Sequence, residues 1–117
     1  MPKMTSLKVT TAFRAFVLDQ LEGLGPVTSR SMFGGVGLYC GDVFFGIIAR
    51  DVLYLKVDDV TRDAYERAGM EPFRPYPTRP GSMQYYAVPL DVLESAGDLV
   101  TWAQKAVGAA RRAAGRS

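Results

Sequence analysis

Ser31 to Val57 reads S-M-F-G-G-V-G-L-Y-C-G-D-V-F-F-G-I-I-A-R-D-V-L-Y-L-K-V, and the reading of this stretch decides the fold. It is dense in Val, Ile, Leu, Phe and Tyr, opens on glycines, and is broken twice, at Gly41-Asp42 and Arg50-Asp51. Short runs of β-branched and aromatic residues separated by two-residue breaks are the pattern of strands joined by hairpins. Three consecutive strands are expected, over about 35–40, 43–49 and 52–57. In the middle one, simple alternation puts Phe44, Gly46 and Ile48 on one face and Val43, Phe45, Ile47 and Ala49 on the other. In the last, Leu53, Leu55 and Val57 face one way and Val52, Tyr54 and Lys56 the other. A single layer of helices covers one face only, so the second apolar face of the middle strand asks for cover. A second copy of the protein is expected to supply part of it.

Upstream, Gly34-Gly35-Val36-Gly37 looks at first like a phosphate-cradling loop. That motif would need glycine where Cys40 stands and a helix after it, and no Lys-Ser or Lys-Thr follows the glycines. Glycines that permit a sharp bend between strands account for them better. Val27 to Phe33 reads as a more polar, outer strand, with Thr28, Arg30 and Met32 on one face. Before the Gly25-Pro26 break, Phe13, Phe16, Val17, Gln20, Leu21 and Leu24 recur at helical spacing. They predict a helix over about 9–22, started by Thr10 or Thr11 and closed by Gly23.

Downstream, Asp58 and Asp59 suit the start of a short helix over about 59–68, closed by Gly69. Read as a metal or acid–base pair, the two carboxylates lack a third ligand nearby. Glu71 to Gly81 holds four prolines and predicts a stiff surface loop or irregular edge, since proline has no N–H to give a ladder. Ser82 to Val88 alternates as one more strand. Asp91-Val-Leu-Glu94 resembles a capping box opening a long helix over about 91–112, its apolar stripe including Leu99, Ala103, Ala106, Val107 and Ala110. Its end carries Lys105, Arg111, Arg112 and Arg116, with no acid after Asp98. The order α-β(4)-α-β(1-2)-α implies an α+β two-layer sandwich, an antiparallel sheet with helices on one face.

The totals narrow the function. At 117 residues, 1–117 is one domain, and 48% hydrophobic with 22% charged residues is a globular composition. The net charge of +2 is too small to demand a nucleic-acid partner. There is no histidine and one cysteine, Cys40, which removes His-based acid–base chemistry, the Ser-His and Cys-His nucleophiles and the common zinc constellations. An unpaired cysteine fits a reducing cytoplasm, and no apolar run reaches the ~20 residues of a membrane span.

Several motifs in one order carry a resemblance. M-F-G-G-V-G-L-Y at Met32 to Tyr39, F-G-I-I-A at Phe45 to Ala49, L-Y-L-K-V-D at Leu53 to Asp58 and G-M-E-P-F at Gly69 to Phe73 belong together. With the Tyr85-Tyr86 strand, Val88-Pro89 and the late Trp102 helix, they resemble the N-terminal domain of the TfoX/Sxy family, from about Phe13 to Ala110. The resemblance implies bacterial origin, a cytoplasmic role among regulators of competence that act on transcription, and a two-layer, secretion-chaperone-like fold. It brings no catalytic residues. The family's competence regulators continue into a separate helical C-terminal domain, and the chain looks like the N-terminal module standing alone.

The expected function is a non-enzymatic regulatory and protein-interaction module, forming a homodimer and docking a partner such as the transcription machinery or a regulator, with no cofactor, metal or membrane. The expected interaction surface is Arg30, Met32, Phe33, Tyr54, Lys56, Arg74, Tyr76, Tyr85 and Tyr86. The alternative is weak nucleic-acid binding through Arg30, Arg50, Lys56, Arg74 and the basic tail, with Tyr76, Tyr85 and Tyr86 as stacking platforms. A small-ligand binder or enzyme is the third reading. Without histidine it would lean on Asp, Glu, Lys, Tyr or Cys40, and a pocket gathering Asp58, Lys56 and Cys40 would favour it.

Overall fold

A computed structural model describes residues 7–74 and 84–115. In chain order the elements are α1 (Thr11–Gln20), a 3-10 turn (Glu22–Leu24), β1 (Val27–Met32), β2 (Gly35–Cys40), β3 (Val43–Ala49) and β4 (Val52–Lys56). Then follow α2 (Arg62–Arg67), β5 (Tyr85–Ala87), α3 (Leu90–Leu93) and α4 (Ala96–Gly115). The five strands form one antiparallel sheet in the order β1-β2-β3-β4-β5. With helices on one side, this is the two-layer α+β fold that the element order implies.

The long C-terminal helix expected over 91–112 is two helices. The chain leaves the helix at Glu94 and Ser95 and restarts at Ala96, where the Ser95 carbonyl receives the Leu99 N–H. Asp91 therefore lies inside the short α3, after Pro89, and caps nothing. Helix α4 crosses β3 and β4 and presents Leu99, Ala103, Ala106, Val107 and Ala109 as its buried residues. Three alanines in that stripe let the helix axis come close to the sheet. Beneath it lie Val36, Leu38, Phe45, Ile48, Leu53, Leu55 and Val57, with Val17 and Leu21 from the α1 side. Each such side chain contributes roughly 1.5–3 kcal/mol by leaving water.

The hairpins have distinct chemistry. Phe33 and Gly34 turn with positive φ of 51° and 84°, and Arg50 and Asp51 turn at 52° and 57°. Positive φ is uncommon for residues other than glycine, and in a two-residue hairpin it matches the sheet twist. At Asp51 the conformation is held from outside, since its carboxylate accepts Thr10 N–H and Oγ1–H, both at 2.8 Å. Thr10 in turn caps α1 by accepting the Phe13 N–H. The β3–β4 hairpin is thus the anchor for the start of the first helix.

β1 lies at the sheet's edge, as its polar sequence predicts. Arg14 of α1 reaches across to it, donating to Ser29 Oγ, the Ser29 carbonyl and Ser31 Oγ. A guanidinium laid on an edge strand discourages pairing with another chain.

Candidate functional site

Register places the residues of the helix-free face. From β1 it takes Thr28, Arg30 and Met32, and from β2 Gly35, Gly37 and Tyr39, paired as Thr28↔Tyr39 and Arg30↔Gly37. From β4 it takes Val52, Tyr54 and Lys56, and from β5 Tyr85 and Ala87, with Lys56 directly opposite Tyr85.

β3 departs from simple alternation. The register shifts between Leu38 and Tyr39, so that Leu38 faces Gly46 while Tyr39 faces Phe44. Phe45 is the extra residue of a β-bulge. The bulge turns both Phe45 and Val43 toward the helices, with Phe45 fully buried in the main core. It leaves Phe44, Ile47 and Ala49 on the helix-free face. The expected grouping of Val43 and Phe45 with Ile47 and Ala49 is thereby corrected, and that face is less greasy than alternation suggests.

Part of this face is covered by the chain itself. Leu7 packs with Ala49, Tyr54 and Ala87, and Phe73 lies 5.0 Å from the Tyr54 ring. Residues 71–73 run beside β5, where Phe73 N–H donates to the Tyr85 carbonyl and Ala87 N–H to that of Glu71.

The other part carries a row of side chains crossing every strand. Arg30 lies over the Tyr39 ring at 5.2 Å, Tyr39 stacks on Phe44 at 5.1 Å, and Phe44 meets Tyr85 at 5.8 Å. Lys56 lies over Tyr85 at 5.2 Å, and its ammonium donates to Gln84 Oε1 at 2.7 Å. Gly37 makes room for Met32 and Phe44 on this face, since a Cβ there would stand 2.6 Å from Met32 Cε and 3.0 Å from Phe44 Cε1. Burial lowers the Lys56 pKa, partly offset by the nearby Asp58 charge. Burial and the neighbouring Tyr39 raise that of Tyr85. Among the residues of the five strands Arg30 and Lys56 are the only charged ones, and both lie on this face.

At the Tyr85 end the row runs into an open cleft of about 450 Å³, lined by Asp42, Phe44, Lys56, Tyr85, Arg111 and the last turns of α4. Neither Cys40 nor Asp58 lines it. A second groove, about 490 Å³, separates α2 from α4 and is lined by Tyr65, Trp102, Lys105 and Arg112, among others. Tyr65 and Trp102 meet edge to face at 4.8 Å, and burial holds the Tyr65 hydroxyl well above its ordinary pKa. Arg112 is tied to Asp58 Oδ2 at 2.6 Å, which draws the Asp58 pKa down to about 2. The other Asp58 oxygen accepts the Val60 and Thr61 N–H groups in the turn ahead of α2. The helix itself starts at Arg62 with Thr61 as its N-cap and no side-chain cap bond, so Asp58 shapes the turn and the helix-capping role expected for it is corrected.

Of the expected surface, Arg30, Met32, Tyr54, Lys56 and Tyr85 share the helix-free face. Tyr54 is nevertheless buried beneath Phe73, and Lys56 is buried as well, at 9% exposure. Phe33 stands at the β1–β2 hairpin tip, 81% exposed. Arg74 is exposed just past the segment beside β5, and Tyr76 lies outside the described residues. Tyr86 is a correction: it faces the helices, buried against Tyr65, and its hydroxyl donates to Glu66. It offers no platform. The two rings at the centre of the row, Tyr39 and Phe44, were not among the expected residues. Tyr39 was legible as the residue alternating with Gly35 and Gly37, whereas Phe44 was hidden by the bulge.

Among the described residues no group of three or more His, Cys, Asp or Glu side chains is placed to hold a metal ion. No described helix is long and apolar enough to cross a membrane.

The architecture defines a small two-layer α+β domain with one sheet face clad by helices and the other half bare. The family model for the TfoX N-terminal domain matches residues 19–110, and the chain belongs to that family. Comparison with the curated proteins finds no match.

Proposed function

We propose that this domain is a non-enzymatic regulatory module that acts in bacterial transcription by docking a partner on the bare half of its sheet. The observation that carries this reading is the row Arg30–Tyr39–Phe44–Tyr85–Lys56, five side chains from five strands held against one another, with Arg30 exposed, the three rings half-buried and Lys56 buried beside the end of α4. Aromatic rings and arginine are the residues that interfaces use most, because they present large area at little entropic cost. Family membership supports the regulatory part, and transcription sets the cytoplasm as its place of work. Pairing with a second copy, expected from the sequence, is one arrangement that would use this face.

The test is complementation. In a strain lacking the gene, transcript profiles are compared after supplying the wild type, Tyr39→Ala, Arg30→Gln or, as a control on the other side, Lys105→Gln. Loss of the regulatory response with the two face variants, and its retention with the control, is the expected result. Full complementation by both face variants at normal protein level refutes the reading.

A further inference from the structure

We propose that the end of the sheet where the β1–β2 and β3–β4 hairpins lie side by side is a docking tip for a partner protein, with Phe33 entering an apolar pocket and Arg50 meeting a carboxylate at its rim. This rests on the reading of the chain as a docking module and adds a contact at the end of the sheet, beyond its bare face.

Three observations carry it. First, the two-residue turns after β1, β2 and β3 each open on a residue at positive φ, yet fill that position differently. Gly41 holds it at one end of the sheet, at 62°, whereas Phe33 and Arg50 hold it at the other, at 51° and 52°. Glycine or asparagine suits this backbone, and a bulky side chain there is strained. Among the described residues neither Phe33 nor Arg50 gains a side-chain hydrogen bond, ion pair or ring contact in return. Second, both side chains are given to solvent. Phe33 is the most exposed of the described large hydrophobic residues, and Arg50 is exposed beside it. Val60 and Leu90 are exposed too, but neither has a positive φ. The acid next to Arg50, Asp51, has its carboxylate taken by Thr10. Third, the two tips form one stiff surface. Only β2 separates β1 from β3, which sets the tips about 10 Å apart. Buried Leu7 touches both: its carbonyl receives the Arg50 N–H at 3.3 Å, and a Cβ on Gly34 would stand 3.8 Å from its nitrogen. An aromatic anchor beside an arginine, fixed before binding, is the composition of an interface hot spot. A second copy of this chain fits less well. Its apolar groove between α2 and α4 would receive Phe33 head to tail, bringing Arg50 toward Lys105 and Arg112.

The experiment is photo-crosslinking in cells with the full chain carrying Phe33→benzoylphenylalanine or, as a control, Leu90→benzoylphenylalanine, since Leu90 is 64% exposed. One discrete adduct to another protein is expected from position 33 and none from position 90. Excess wild-type chain competes the adduct down at least about fivefold, and Phe33→Asn or Arg50→Gln chain competes at least about fivefold less well. Phe33→Leu, still apolar, competes better than Phe33→Asn. In parallel, Phe33→Asn raises the urea midpoint by about 0.5 M, because asparagine suits the turn. A variant that is more stable and yet docks worse separates a partner contact from a structural role.

No adduct from position 33, equal adducts from both positions, or equal competition by Phe33→Asn overturns the proposal. So does a lower urea midpoint for Phe33→Asn, which would make Phe33 a structural residue. An adduct to the chain itself puts a second copy in place of the partner and overturns it likewise. If position 33 gives no competed adduct while Tyr39→Ala and Arg30→Gln abolish complementation, the bare face docks and only the tip is wrong. If the adduct is competed as expected while both face variants complement fully, the tip docks and the face does not.

Discussion

Phe44→Ala and Phe45→Ala form a pair whose order of severity depends on one bulge. Phe45 is 0% exposed and sits in the main core beneath α4. Truncating a fully buried phenylalanine removes its transfer energy and leaves a cavity, about 3–5 kcal/mol. Phe44 is half-buried on the helix-free face and touches Tyr39 and Tyr85. Its loss forfeits about half a side chain's burial plus part of two ring contacts, about 2 kcal/mol. Trp102, the only tryptophan, lies against Tyr65 at the core margin and reports unfolding by its fluorescence. With a urea slope of ~1.5 kcal/mol/M, Phe45→Ala lowers the midpoint by about 2.5 M and Phe44→Ala by about 1.3 M. Where the alanine variant is too unstable to give a folded baseline, Phe45→Leu and Phe44→Leu keep the same order at smaller size. Unbroken alternation would put Phe44 with Ile48 in the core and reverse the sequence of effects. A Phe44 variant as damaging as its Phe45 counterpart would therefore refute the bulge and the face built on it.

Other perturbations separate backbone space from charge. Gly35→Ala places a Cβ 2.8 Å from the Ile48 carbonyl oxygen, where backbone must move, and should cost about 1–3 kcal/mol in thermal or urea unfolding. Gly97→Ala, in the first turn of α4 with nothing within 4 Å, should instead stabilise by about 0.4–1 kcal/mol. Asp58→Asn tests linkage. The Asp58 pKa falls from 3.8 to about 2 on folding, chiefly through the Arg112 hydrogen bond, so the native state binds fewer protons there. Its contribution is present above pH 3.8 and is lost as pH falls toward about 2, and solvent screening keeps it below about 1 kcal/mol. The gap between wild type and variant in urea midpoint should close over that window. A gap constant from pH 5 to pH 2.5 would show that the carboxylate charge is not involved.

Local chemistry determined much of this protein. The two-residue breaks at Gly41-Asp42 and Arg50-Asp51 set the hairpins, the polar run of Val27 to Met32 marked the edge strand, and Asp58 announced the turn into α2. Each depends on neighbours a few residues away, which is what a sequence displays. Tertiary structure decided which side of the sheet each ring occupies. Alternation is a period-two rule, and one inserted residue at Phe45 reverses it for the rest of the strand, with no compositional mark to announce the insertion. The same holds for the bare face. That Leu7 and Phe73 cover one half of it, and that Arg30, Tyr39, Phe44, Lys56 and Tyr85 converge on the other, follows from pairing between segments far apart in the chain. Tyr85 and Tyr86 make the contrast plain. They are adjacent and chemically identical, yet the pleat sends one to the open row and the other beneath the helices.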